Sequence, residues 1–374
     1  MAAFGFPTRE SLVTRLKEPG ARHEHGYGVT KAAFLEAPRA MVMRGVSEPI
    51  LAEGWALVRV TLAGVCGSDL KMWRFGSPRL ALPAVIGHEV VGRVENAPEA
   101  HAHLVGRRVV IMPDVPCFTC PQCLQGNYHL CDVGRSIGWE LPGGFAEHVA
   151  VPPETLRAGG LVPVPDGLAD EEAVLAEPAA CALRGQEVLG IGPSDTVLIL
   201  GAGPMGYLHA CLSRLHGAGR IILSDILPRR LDQTREAPAD ARLVVDDRFE
   251  ATVRDLTRSR GGADVVIVAA ATATAQTTAV RLAAKRGRVN FYASLPAVEA
   301  GQFDINPIHA RELLVVATRD ATVPALQSAL ELLASHRLPV GPLVRTVEPL
   351  DALGKLFVRF DRAEVLKPVV RVAS

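Results

Sequence analysis

The 374 residues carry no excess of charge of either sign: 40 Lys and Arg stand against 40 Asp and Glu, and the sequence pI is about 7.2. A polyanion-binding surface needs a basic surplus, so neither nucleic acid nor an anionic membrane is an expected partner. Long hydrophobic runs are missing too. No apolar stretch approaches the roughly 20 residues that a membrane helix needs. The first thirty residues hold Arg9, Glu10, Arg15, Lys17, Glu18, Arg22 and Glu24, and lack the apolar core of a secretory signal. There is no internal repeat and no low-complexity segment. Cysteine is sparse, with seven in the chain, and a cytoplasmic location, where thiols stay reduced, is the expectation. What is abundant is apolar residues, at 48%, enough for the two buried cores that this length favours.

Four of the seven cysteines fall in one short run, Cys117, Cys120, Cys123 and Cys131, at steps of three, three and eight residues. Two-residue gaps let successive sulfurs converge on one ion, so the run reads as a closed, tetrahedral, all-thiolate zinc site. Cys181 and Cys211 lie in apolar surroundings and read as core packing. A second constellation is built differently: Cys66 in Gly64-Val65-Cys66-Gly67-Ser68-Asp69, His88 in Gly87-His88-Glu89, and Glu177 in Ala176-Glu177-Pro178. One thiolate, one imidazole and one carboxylate leave a fourth position for water or substrate, the signature of an open catalytic zinc. Asp69 is a natural carboxylate to orient the imidazole, and Glu89 is either an exchangeable ligand or a surface acid.

Texture divides the chain into three. Residues 1 to about 29 are polar and charged, and suggest an arm. From there to about residue 185, short β-like runs such as Ala56-Leu57-Val58-Arg59-Val60 are broken by Gly and Pro, as in a strand-rich domain with long loops. From about Asp195, apolar strands alternate with helical stretches, which predicts a parallel sheet with right-handed crossovers. The first such strand, Thr196–Leu200, runs into Gly201-Ala202-Gly203-Pro204-Met205-Gly206 and a helix. Gly201 permits the bend, Gly203 lets backbone approach a pyrophosphate, and Gly206 lets the helix pack on the strand. Asp225 follows nineteen residues after Gly206, at the end of the next strand, where a carboxylate binds both adenosine ribose hydroxyls and repels a 2′-phosphate. NAD is therefore expected in preference to NADP. Arg229 and Arg230 are the counter-signal: they either recruit that phosphate or simply solvate a helix start.

In their order, these motifs, with Gly143-Gly144-Phe145-Ala146-Glu147 between them, resemble the zinc-dependent medium-chain dehydrogenases, which include alcohol, polyol and threonine dehydrogenases. The resemblance runs from about Thr30 to the C-terminus. It implies an α/β chain with a β-rich part: a GroES-like catalytic domain over 30–185 and 326–374, a Rossmann NAD-binding domain over 186–325, and an arm over 1–29. It implies catalytic zinc on Cys66, His88 and Glu177, with Glu89 as alternate ligand, and structural zinc on the four-cysteine lobe. Ser68 resembles the hydroxyl that passes the substrate proton onward. Glu177-Pro178 resembles the polyol branch, and Arg319 resembles an arginine that polyol dehydrogenases place near the substrate. The implied activity is hydride transfer between NAD and a small secondary alcohol (a polyol, cyclitol or amino alcohol) in a homodimer or homotetramer.

The departures bear on the same chemistry. Lys71 stands where many members have the histidine that ends the proton relay, and it either relays through its amine or yields to water. Val266–Ala271 lacks the acidic residue usual after that strand, which leaves a small apolar wall. Trp73, Phe75, Trp139 and Glu140 are candidate pocket walls, with core packing as the competing reading for the aromatics. The alternatives are a threonine-type dehydrogenase, or a zinc-binding regulatory protein that keeps the fold without turnover. A metal-free reductase of the same superfamily has no use for Cys66, His88 and Glu177 together.

Overall fold

Alternating and continuous apolar runs separate the two halves of the chain in the computed structural model, which describes residues 29–295 and 304–373. The chain forms two compact units. The first is built from the described residues up to Val164, with Thr346–Arg362 and the segment from Pro368; the second takes Pro165–Arg345 and Ala363–Lys367. The arm expected over 1–29 lies outside the described residues, apart from Val29. Residues 165–185 and 326–345, expected with the catalytic half, go with the second unit. There the helix Ala176–Glu187 packs against the helices Pro204–Leu215 and Val323–Ala334.

The first unit opens with a hairpin, β1 (Val29–Ala37) and β2 (Ala40–Ser47), and continues through β3 (Ala56–Gly64), β4 (Glu89–Asn96) and β5 (Arg108–Ile111). Two-residue strands β6 (Asp114–Val115) and β7 (Arg135–Ser136) frame the cysteine lobe, and β8 (His148–Val151) and β9 (Leu161–Pro163) follow. In β3, Arg59 faces solvent while Val58 and Val60 are fully buried, the period-2 pattern of a half-covered strand. Antiparallel pairing of β3 with β4 sets Gly64 opposite Glu89. The Cys66 and His88 segments therefore leave the same end of one strand pair.

The second unit is a six-stranded parallel sheet. Its strands are β10 (Thr196–Leu200), β11 (Arg220–Asp225), β12 (Ala241–Val244), β13 (Ala263–Val268), β14 (Ala283–Phe291) and β15 (Leu314–Ala317), in spatial order β12-β11-β10-β13-β14-β15. This is the doubly wound dinucleotide-binding order, with the reversal beside β10. Leu198, Ile222, Val266 and Val289 are fully buried in one core, as central parallel strands require. The short β12 was not legible as a strand: its Ala-Arg-Leu-Val carries no apolar run. The chain then returns to the first unit in β16 (Thr346–Pro349) and β17 (Pro368–Arg371), the latter pairing with β3. No helix among the described residues is long and apolar enough to cross a membrane.

One buried polar cluster in the second unit makes stability pH-dependent. His209 is fully buried, Gln186 Nε2 donates to its carbonyl at 2.7 Å, and its ring meets Tyr292 edge-on at 4.6 Å. Burial pulls its pKa down from 6.5 to about 3, so the folded state holds it neutral while the unfolded chain protonates near 6.5. Stability from this group is complete above pH 6.5 and is lost as pH falls toward 3, at about 1.4 kcal/mol per unit. Urea midpoints at pH 7.5 and pH 5 are expected to differ less in His209→Gln than in the parent. An equal pH dependence in both removes His209 as its source.

Candidate active site

Cys66 caps the helix Gly67–Phe75, and its backbone N–H donates to Asp69 Oδ2 at 2.8 Å. The other oxygen, Asp69 Oδ1, faces His88 Nδ1 at 3.4 Å, and the Asp69 side chain is fully buried. One carboxylate thus holds the thiol segment through a hydrogen bond and faces Nδ1 of the imidazole, which leaves Nε2 as the ring's ligand atom. Donor atoms of Cys66, His88 and Glu89 all lie within 4.8 Å of one another. Glu89 is fully buried, and a Cβ on Gly64 would collide with its carboxylate, so glycine at 64 is what admits it. Burial works against charge on His88, but Asp69 and Cys66 outweigh it and hold the imidazole's pKa well above its usual value. A thiol, an imidazole and a buried carboxylate at this spacing, in a field that favours positive charge, fit a divalent zinc ion.

Ser68 Oγ, two residues from Cys66, is buried and has no hydrogen-bond partner among the described residues. Lys71 is half-buried; burial pulls its amine's pKa below the usual lysine range, and Cys66 pushes it back up. Trp73 is not a pocket wall: it is 3% exposed and stacked on Phe357 at 5.6 Å. Phe75 points outward, 60% exposed. Trp139 instead lies beside His88, with ring centroids 6.3 Å apart.

The cysteine lobe has the geometry its spacing implies. Sγ atoms of Cys117 and Cys123 are 3.9 Å apart, as are those of Cys120 and Cys131. Four sulfurs about 2.3 Å from one zinc form a tetrahedron with edges of about 3.8 Å. Backbone N–H groups of Thr119 and Cys120 donate to Cys117 Sγ, and that of Cys117 to Cys131 Sγ. Donation from Thr119 draws Cys117 down to about 6, while burial pushes Cys131 up to about 12. Four thiolates this close repel one another unless a cation sits among them.

In the second unit the glycine turn divides its work. Gly201 has φ +110°, a conformation side chains rarely adopt, and a Cβ there would press on Ala269 and Ala270 at 3.0 Å. A Cβ on Gly206 would strike the Gly201 carbonyl, whereas one on Gly203 would touch nothing, which is the space a pyrophosphate approaching the helix N-terminus needs. Asp225 Oδ2 accepts from Ala202 N at 2.8 Å and Oδ1 from Leu227 N at 2.9 Å, which locks the acid to the turn. Arg230 donates to Gln233 and to the Val365 carbonyl, and burial lowers its pKa, with Asp225 opposing.

Glu177 begins the helix Ala176–Glu187, where the helix dipole favours a carboxylate, and is 6% exposed. Cys181 Sγ donates to Glu177 Oε1 at 3.2 Å, so this cysteine, read from sequence as plain packing, orients an acid. Only its position four residues after Glu177, one helical turn away, signalled the contact. Arg319 is 64% exposed and pairs with Asp320 at 2.7 Å.

Residues 52–166 match the family model described as the alcohol dehydrogenase GroES-like domain, and residues 204–335 the model for zinc-binding dehydrogenases. An L-galactonate-5-dehydrogenase of Escherichia coli K12 is 28% identical over 343 residues, covering 90% of this chain and 97% of that protein. A D-altritol 5-dehydrogenase of Agrobacterium fabrum is 30% identical, covering 85% and 95% respectively. A Sinorhizobium meliloti protein solved bound to NADP superposes with a TM-score of 0.84 at 30% identity, covering 92% of this chain and 99% of the other.

Proposed function

Since the chain belongs to the zinc-dependent medium-chain dehydrogenases, oxidoreductases acting on CH–OH groups, we propose that it oxidises a secondary alcohol (a polyol, cyclitol or amino alcohol) with NAD. The observation that carries this is the convergence of the Cys66, His88 and Glu89 donor atoms within 4.8 Å. Cys66 and His88, with Glu177 or Glu89 as the carboxylate, would hold the catalytic ion, and the cysteine lobe a structural one. When bound, zinc makes a coordinated hydroxyl far more acidic, as it lowers the pKa of bound water to about 7. Ser68 accepts the hydroxyl proton, and Asp69 keeps His88 oriented. The turn at Gly201, Gly203 and Gly206 seats the cofactor pyrophosphate, and Asp225 accepts hydrogen bonds from the adenosine ribose. Bound NAD would supply the hydride acceptor, so that the products are ketone, NADH and a proton. The galactonate and altritol relatives support a sugar-derived substrate. A homo-oligomer is part of the proposal, since β15 is an edge strand with Leu314 49% exposed.

The test is a screen of the zinc-loaded protein with NAD and NADP against sugar alcohols, cyclitols, amino alcohols and threonine. Reduced cofactor is expected with a polyol and NAD, and its absence with every alcohol sinks the reading. The Sinorhizobium protein is bound to NADP, so Asp225 is the residue to change. Losing a charge-assisted bond, worth about 1.5–3 kcal/mol, is expected to cut the NAD-over-NADP preference of Asp225→Ala at least about tenfold. Unchanged discrimination takes Asp225 out of cofactor choice.

A further inference from the structure

We propose that Trp139, braced by Arg79 and Glu140, is the substrate wall beside His88 and selects a neutral hydroxylated carbon chain over one bearing a carboxylate. The inference rests on the alcohol oxidation proposed above.

The turn that carries Trp139 is fastened directly to the residue before His88. Ile137 and Leu141 anchor it in the core at 0% and 3% exposure, and Gly138 N and Trp139 N close it onto Leu141 O and Ser136 O. A Cβ on Gly138 or on Gly143 would run into the Gly87 carbonyl, so backbone lies on backbone there. The indole comes to rest 6.3 Å from the His88 ring, tilted 37° to it. Trp73 shows what a core tryptophan looks like in this unit, at 3% exposure; Trp139 stays partly open.

Arg79 holds the indole in place. Its guanidinium lies 4.8 Å from the ring centroid, Nε donates to Glu140 Oε1 at 2.6 Å, and Nη2 to Glu140 Oε2 at 2.9 Å. Glu140 Oε2 also accepts from Ser136 N at 3.0 Å, tying the pair to the turn. Such a fork with a cation on an aromatic face fixes orientation more than it adds stability. It also decides charge. Both carboxylate oxygens of Glu140 are spent on the one cation beside the indole, so the wall is electrically neutral. A substrate carboxylate brought against it would lose hydration and meet the Glu140 oxygens, with no uncompensated charge from this pair in return. C–H bonds of a hydroxylated chain lie on an indole without that cost.

Glu140→Gln keeps the shape of the clamp and releases the charge of Arg79. The ratio of kcat/KM for a sugar acid to that for the matching neutral sugar alcohol is expected to rise about tenfold, with zinc content unchanged. Trp139→Ala is expected to raise KM for the sugar alcohol about tenfold while leaving a small secondary alcohol such as 2-butanol nearly unaffected, and Trp139→Phe restores most of the loss. A readout independent of turnover is tryptophan fluorescence on loading with Co²⁺ in place of zinc: the parent is quenched more deeply than Trp139→Phe. A parent that prefers the sugar acid, an unmoved ratio in Glu140→Gln, or equal quenching overturns the assignment. Turnover of neither substrate overturns the alcohol oxidation itself and the selectivity with it, whereas turnover with an unmoved ratio overturns the wall alone.

Discussion

Cys66→Ser is expected to carry one zinc per chain where the parent carries two, one for each of the two cysteine-containing clusters, and to lose more than about 10³-fold in turnover. The magnitude follows from what the site supplies. Removing a single electrostatic donor to a developing anion costs about 10²–10³-fold, and Cys66→Ser removes the ion and the acidity it confers together. Serine matches the shape of cysteine but is a far weaker zinc ligand at neutral pH. The Cys66 N–H to Asp69 bond is made by backbone and survives the change. The helix it caps therefore stays folded, and a thermal melt should barely move. Metal analysis, turnover and Tm on one preparation decide the matter. Two zinc ions retained with full activity would place the chemistry elsewhere, and a large fall in Tm would recast Cys66 as structural.

The cysteine lobe predicts the reverse pattern. Cys120→Ser is expected to lower Tm by about 10 °C or more and to open the segment between Val115 and Arg135 to proteolysis. Structural zinc contributes on the order of 10–16 kcal/mol to the folding of small zinc domains, and a fraction of that is a large share of a domain's 5–15 kcal/mol. At about 2–4 °C per kcal/mol for a domain of this size, even three or four kcal/mol is easily measured. Regular structure in the lobe is slight, the four-residue helix Pro121–Leu124 and the three-residue turn Tyr128–Leu130, and the N–H donors of Thr119, Cys120 and Cys123 are spent on sulfur. A Tm unmoved by loss of the ion would leave the sulfurs without a structural role.

Sequence reasoning reached furthest where chemistry is local. The strand Thr196–Leu200 and the turn after it read correctly because one apolar run and three glycines, six residues end to end, determine them. The four sulfurs of the cysteine lobe come within 4.8 Å of one another for the same reason. Arg79 and Glu140 could not be paired from sequence, since they are 61 residues apart and meet only once β4 and the 136–141 turn are in place. Cys181 is buried as its apolar neighbourhood implies, but its donation to Glu177 was not legible, because that neighbourhood looks the same whether or not a packed thiol also donates. The boundary expected at 185 shifted because the helix Ala176–Glu187 buries its apolar side against two helices of the nucleotide-binding half, and strand texture carries no information about that contact.

The return of β17 to β3 sets an order on biosynthesis. Pro368 accepts from the N–H of Val65, the residue before Cys66, and Val369 pairs with Gly64. The nucleotide-binding half is nearly continuous and can condense on the ribosome once Arg345 has emerged. The edge of β3 beside Cys66, by contrast, stays unpaired until β17 reaches it. The Cys66 segment is therefore completed by residues 368–371, some three hundred positions further along the chain.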